Sequence, residues 1–200
     1  RDVLGSRGLG DVYKRQMKHT YCQAFFIYAM SSYYDASKDK AALELALDVF
    51  ATVEEKCRDD IAYLEAFSKD WNIIPNDALS ENGLMADKTM NTTLHVMEAY
   101  TELYRVSSDK RVLKALRFTL EITLDKIYDK NGGKLFVFFD KNLNEIGDIY
   151  SYGHDIEATW LIDRACDVIG DEHLSKRCAE MNKVIVKNIA DRALSNGCLL

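Results

Sequence analysis

Three times along this chain an apolar helix is followed, after a short connection, by an amphipathic one, and that recurrence most limits what the chain can fold into. The spacing of apolar residues predicts helices over about 19–34 and 39–57, 89–106 and 109–127, and 154–169 and 171–190. In each pair the first helix is the more apolar. The run from Tyr21 to Tyr34 is apolar nearly all round and reads as a buried helix. Regular repetition of a helix pair is the signature of a helical array or a toroid, with apolar first helices inside and charged second helices outside. Connections within pairs are short and those between pairs are long. The long loops therefore emerge on one rim, where a binding site would form. The segment 58–86, with Pro75, is one such loop. The other holds Asn131-Gly132-Gly133, a β-rich run from Leu135 to Phe139, a tight turn near Asp140 to Asn144 and a second short strand near Ile146 to Tyr150, which together predict a β-hairpin.

The repeat is also visible in individual residues. His95, Glu98, Ala99 and Arg105 are matched by His154, Glu157, Ala158 and Arg164, so both copies read H-x-x-E-A-x-x-x-[LI]-x-R. Asn91, His95 and Glu98 fall on one helical stripe, and His154, Glu157 and Trp160 run along another. Each stripe offers an imidazole and a carboxylate directly after a loop. Histidine suits proton transfer near neutral pH, and a neighbouring carboxylate can fix its tautomer or hold a substrate hydroxyl. Either histidine taken singly fits a hydrogen-bonded core position as well; it is the matched placement that points to a site. A metal centre is the other sharp reading, but the di-iron order is Glu-x-x-His and no H-E-x-x-H is present.

Bulk properties exclude several classes. The chain has 200 residues and a net charge of −6, a balance that argues against nucleic acid or an anionic membrane as the main partner. Single Pro75 suits a helix-rich chain. Five cysteines, Cys22, Cys57, Cys166, Cys178 and Cys198, form no C-x-x-C pair and read as reduced thiols of a cytoplasmic protein. No run is apolar and long enough to span a membrane. Loop-proximal Trp71, Tyr150, Tyr152 and Trp160 are placed to stack on sugar rings, whereas the remaining aromatic residues read as core. Residues 1–16 are rich in glycine and arginine and lack a helical period. They read as a non-native or disordered leader, leaving 17–200 as the domain, with both ends looking cut.

Several stretches resemble the cellobiose 2-epimerases of the N-acylglucosamine 2-epimerase superfamily. These are Ser151-Tyr152-Gly153-His154-Asp155-Ile156-Glu157-Ala158-Thr159-Trp160-Leu161, Asn91 to Tyr100, Tyr21-Cys22-Gln23-Ala24-Phe25, and Tyr63 to Phe67 with Asp70-Trp71. The resemblance spans about Lys18 to Ala190 and implies an all-α fold, part of an (α/α)6 barrel of which about three αα-hairpins are present, with a short β-hairpin in an inter-helix loop. It implies cofactor-free, metal-free inversion at C2 of a reducing-end sugar, with a disaccharide as substrate. It makes His154 an acid–base residue, has Asn91 and His95 position the opened sugar, and has Glu157, Trp160 and, more distantly, Tyr21 shape the sugar site. The family's second acid–base histidine and an arginine of its first inner helix match nothing here, so the chain alone is expected to be inactive and to self-associate through the flanks of its first and last helices. The alternatives are an N-acylglucosamine 2-epimerase or an aldose–ketose isomerase on the same fold, a glycoside hydrolase of the α/α toroid class, which needs two carboxylates, and a non-catalytic carbohydrate-binding scaffold.

Overall fold

The computed structural model describes residues 17–75, 85–195 and 198–199. The segment 1–16, read above as a leader, lies outside them. Six helices carry the fold: α1 Thr20–Ser37, α2 Lys40–Lys56, α3 Met90–Ser107, α4 Lys110–Ile122, α5 Tyr152–Ile169 and α6 Glu172–Arg192. A π-helical turn, Thr123–Ile127, extends α4 to the limit that the periodicity predicts. Helices α1, α3 and α5 pack side by side as an inner layer, and α2, α4 and α6 each pack behind their own partner. This is an arc of three αα-hairpins.

All three hairpins turn in the same way. The first helix closes on a residue in the left-handed region, namely Lys38 (φ 58°), Ser108 (φ 53°) and Gly170 (φ 69°), whose amide returns to a carbonyl four residues back. An aspartate follows at once: Asp39, Asp109 and Asp171 accept from the backbone amides of Ala41, Arg111 and Leu174 and cap the second helix. One residue ends a helix and the next starts another, which forces tight antiparallel packing.

The core runs between the two layers through Ile27, Phe50, Val53, Tyr100, Leu103, Leu116, Leu120, Ile162 and Ile185, all nearly or fully buried. Each such side chain contributes about 1.5–3 kcal/mol by leaving water. Helix α3 has a neighbour on both flanks and buries eleven of its eighteen residues. The expectation that α1 is buried all round is corrected. Only Thr20, Ala24, Ile27 and Ser31 are buried there, while Phe25, Phe26 and Tyr33 stand exposed, because α1 packs on α2 and α3 along one side.

The strands are two-residue clasps on the rim. β1 Lys18–His19 pairs with β2 Ala66–Phe67, and β3 Lys88–Thr89 with β6 Phe138–Phe139. β4 Tyr128–Asp129 pairs with β5 Lys134–Leu135, and β7 Leu194–Ser195 with β8 Cys198–Leu199, all antiparallel. A β-hairpin does form between α4 and α5, but it is β4–β5, closing around Asn131-Gly132-Gly133, and not the expected pair 135–139 and 146–150. The predicted turn also forms, with the Asp140 amide on the Asn144 carbonyl at 3.0 Å. Beyond it the expected second strand only begins: Glu145 bridges Phe139, the Ile146 amide donates to the Phe138 carbonyl at 2.9 Å, and 147–150 makes no strand. Two pulls explain this. Phe138 and Phe139 are buried against β3, and the Lys134 ammonium draws the following segment away through Asp148 and the Ile149 carbonyl.

Candidate active site at the inner-helix rim

The N-terminal ends of α3 and α5 meet the loop 137–151 around a cavity of about 220 Å³, lined by Thr89, Asn91, Val137, Phe138, Ile149, Tyr150, Ser151 and His154. The cavity thus brings together Asn91 and His154 from two different repeats. From Met90 to Leu103 every residue is buried except Asn91, His95 and Glu98, so the stripe predicted from spacing is the one face of α3 left open. His95 Nδ1 lies 3.1 Å from Glu98 Oε2. Since an ionised carboxylate only accepts, this pairing puts the proton on Nδ1. The Phe25 ring sits 4.6 Å from the His95 ring, and Tyr21 meets Phe25 edge-on at 6.4 Å, so α1 contributes an aromatic wall beside His95. The Tyr21 phenol is held above its ordinary range, first by its hydrogen bond with the Cys22 thiol and then by burial. It remains a hydrogen-bond donor at neutral pH.

On α5, His154 Nδ1 lies 2.6 Å from Ser151 Oγ. Glu157 follows one turn later, half-buried, and Trp160 one turn beyond that is 53% exposed. Tyr21, His95, Glu157 and Trp160 lie outside the lining of the Asn91–His154 cavity. Among the described residues no three His, Cys, Asp or Glu side chains gather as metal ligands would. No helix of the described residues is long and apolar enough to cross a membrane.

Two buried carboxyls support the rim from behind. Glu65, 2% exposed, accepts from Thr89 Oγ1 at 2.9 Å and Thr92 Oγ1 at 2.8 Å at the start of α3, while its carbonyl takes the Thr20 amide of α1. Burial pushes its carboxyl up to about 7, against the pull of both hydroxyls. Asp155, also 2% exposed, accepts the Leu135 amide at 3.2 Å, and burial pushes it up to about 6. Lys134, 3% exposed at its side chain, straps the loop over the cavity. Its ammonium reaches Asp148 Oδ1 at 2.8 Å and the Ile149 carbonyl at 3.4 Å, and lies 3.8 Å from the centre of the Tyr150 ring.

Sequence reasoning missed three of these. Ser151 reads as an ordinary helix cap. Lys134 reads as a surface lysine after a glycine turn. Asp155 sits inside the recognised motif, but nothing local announces its burial. At the far end of the inner layer, the matched arginines converge on one residue. Arg105 grips Glu102 through Nε at 3.0 Å and Nη2 at 2.6 Å, Arg164 reaches it at 3.1 Å, and Asp35 of α1 closes the group on Arg105.

An arc of αα-hairpins with its polar side chains gathered where the inner helices begin defines the class: an α/α-barrel protein with a site on one rim. The chain belongs to the N-acylglucosamine 2-epimerase family, whose model matches residues 9–194. It is 55% identical over 183 residues to a cellobiose 2-epimerase of Ruminococcus albus, covering 92% of this chain and 47% of that protein. The crystal structure of a sugar epimerase from a ruminal bacterium superimposes with a TM-score of 0.90 at 55% identity, over 92% of this chain and 47% of that one. The structure of the cellobiose 2-epimerase from Bacillus thermoamylovorans B4167 gives a TM-score of 0.84 at 37% identity, over 92% of this chain and 50% of that one. The chain therefore spans about half the length of the curated relatives it matches, and its three hairpins are part of an (α/α)6 barrel.

Proposed function

We propose that this chain supplies one arc of the active site of a sugar epimerase that inverts C2 of the reducing-end glucose in β-1,4-linked disaccharides, turning cellobiose into glucosyl-mannose and lactose into epilactose. The observation that carries the reading is the shared cavity of Asn91 and His154, the two residues that the family resemblance assigns to substrate positioning and proton transfer. The sugar ring opens to an aldehyde, which acidifies the C2 proton. His154 Nε2 takes that proton and leaves an enediolate. Asn91 donates its amide to the oxygens at C1 and C2, where negative charge grows, and His95, whose Nδ1 proton is held by Glu98, accepts from a hydroxyl of the opened sugar through Nε2. Returning a proton to the opposite face of C2 gives the epimer. The proton lost is regained, so the step balances without an electron acceptor. Glu157, Trp160 and Tyr21 shape the sugar site in this reading. A second acid–base group on the far side of the opened sugar would come from outside this arc, so the chain alone is expected to be inactive.

The test is to complete the polypeptide to the length of its relatives and incubate it with cellobiose and lactose in D2O. Deuterium at C2 with epimer formation, lost in His154→Ala, is the expected result. A folded protein that exchanges no aldose would overturn the reading, and a ketose product would make it an isomerase instead. Exposed Phe25 and Phe26 on α1 and Ile156 and Trp160 on α5 also support self-association of the chain by itself, which sedimentation would register as a species heavier than the monomer.

A further inference from the structure

Ser151 stands at the N-cap of α5, where a serine hydroxyl ordinarily accepts from an amide of the first turn. It does not do so. Asp39, Thr89, Asp109 and Asp171 all cap their helices through the side chain, whereas Ser151, at φ −127° and ψ 81°, makes no such bond. Its hydroxyl is turned instead to His154 Nδ1, at 2.6 Å. The matched motif sharpens the contrast. His95 pairs with the glutamate three residues on, yet His154 takes Ser151, three residues back, and leaves the equivalent Glu157 out of the pair. Both Ser151 and His154 line the cavity. The helix start that carries them is pinned by the Asp155 carboxylate on the Leu135 amide.

We propose that Ser151 is a positioning residue that holds His154 as the Nδ1–H tautomer, so that the Nε2 lone pair faces the cavity. In that arrangement the imidazole N–H donates to Ser151 Oγ, and the half-buried serine hydroxyl donates its own hydrogen bond to solvent or substrate. A base acting through Nε2 needs this tautomer, because the opposite one places a hydrogen where the lone pair must be. The hydroxyl keeps its bond after Nε2 is protonated, so His154 can take a proton from C2 without turning. Glu157, left unpaired with His154, remains available to substrate hydroxyls. The inference rests on the reading of His154 as an acid–base residue.

The test begins with the chain as it stands, labelled with 15N-histidine. Its four histidines give separable ring-nitrogen signals, that of His154 being the one absent from His154→Ala. At about pH 8, above the ordinary titration of imidazole, Nδ1 of His154 is expected to read as protonated and Nε2 as unprotonated. Ser151→Ala should return it towards the Nε2–H form that predominates for histidine in water, and Ser151→Thr should preserve the wild-type pattern. In the completed polypeptide, Ser151→Ala is expected to lower kcat for C2 epimerisation on the order of tenfold. KM should stay within about twofold, and Ser151→Thr should restore the rate. Wild-type His154 in the Nε2–H form, or a Ser151→Ala variant with an unchanged tautomer, would overturn the proposal. Failure of the epimerase reading is a separate result: no exchange at C2 while the tautomer pattern stands.

Discussion

Glu65 makes the stability of this fold depend on pH in the opposite direction to most carboxylates. Its carboxyl goes from 4.5 to about 7 on folding because it is buried behind the first turn of α3. A raised value means that the folded state holds the proton more tightly. The associated stability is therefore complete below about pH 4.5 and is lost as pH rises through about 7. At about 1.4 kcal/mol per tenfold change in acidity, the loss is about 3 kcal/mol. Asp155, raised from 3.8 to about 6, adds a slope of the same sign in a lower window. The lowered group includes Asp35, held down to about 2 first by Lys38 and then by Arg105. It also includes Glu102, held down by Arg105 above all. These act with the opposite sign, in acid below about pH 4. Glu65→Gln keeps the shape and removes the charge, and either amide atom can bond the hydroxyls of Thr89 and Thr92. Urea unfolding followed by helical circular dichroism is the assay. With an m-value of about 2–3 kcal/mol per molar urea, the variant should match wild type near pH 4.5 and exceed its midpoint by about 1 M above pH 8. Parallel curves across the whole range, or a variant that loses stability at alkaline pH, would refute the argument that burial of the Glu65 charge controls this window.

Glu54 receives the hydroxyls of buried Tyr63 at 2.6 Å and Tyr100 at 2.9 Å on one oxygen and Arg58 on the other, so Glu54→Ala should lose about 3–5 kcal/mol in the same unfolding assay; a loss below about 1 kcal/mol would mean that water takes its place. Arg105 holds Glu102 through two nitrogens, a geometry that lysine does not reproduce, and Arg105→Lys should cost about 1 kcal/mol after allowance for its partial exposure, a loss that added salt should shrink in the wild type. Lys134→Met removes both polar ties and the contact with the Tyr150 ring, so amide hydrogen exchange over 146–151 should accelerate on the order of tenfold while the exchange of α3 stays unchanged.

The helices were legible because their period is local. Val112, Leu116 and Leu120 announce a buried face from spacing alone, whereas on α2 the stripe of Leu43, Leu47 and Phe50 marks only its edge, since Ala42, Ala46, Phe50 and Val53 are the residues buried there. The repeat was legible because the His, Glu and Arg of α3 recur in α5. What spacing does not carry is which side of a rim a short segment joins. Phe138–Phe139 pairs with Lys88–Thr89 across 50 residues, and no local pattern distinguishes that partner from the nearby 146–150. The exposed side of α1 was illegible for a related reason. An all-round apolar helix is buried only where neighbours exist, and its composition does not say on which flanks they stand. Of the site, the stripe Asn91, His95 and Glu98 follows from helical geometry. Ser151 does not, because nothing in the string Ser-Tyr-Gly-His tells a capping hydroxyl from one turned towards the imidazole.

The repeat gives the two inner helices α3 and α5 the same frame and then separates their chemistry through neighbours. Both begin over a buried carboxyl, Glu65 under one and Asp155 next to His154 on the other, and their matched arginines close on Glu102 at the far end. With both ends fixed, the placement of each histidine is set by the frame, and its behaviour by what meets Nδ1. In the proposed reading, the carboxylate at His95 fixes the proton on Nδ1 and leaves Nε2 to accept from a hydroxyl of the opened sugar. In the same reading, the hydroxyl at His154 orients the ring without adding charge, which suits the acid–base role proposed for it. Exchanging the partners tests this division. In the completed polypeptide, Glu98→Ser should loosen the hold of His95 on the opened sugar, while Ser151→Asp should trap the proton on His154. Each is expected to lower kcat, and Ser151→Asp should in addition move the acidic limb of the pH–rate profile to higher pH, because a stabilised imidazolium is the inactive form of a base. An unmoved acidic limb in Ser151→Asp would show that the Nδ1 partner does not govern proton transfer at His154.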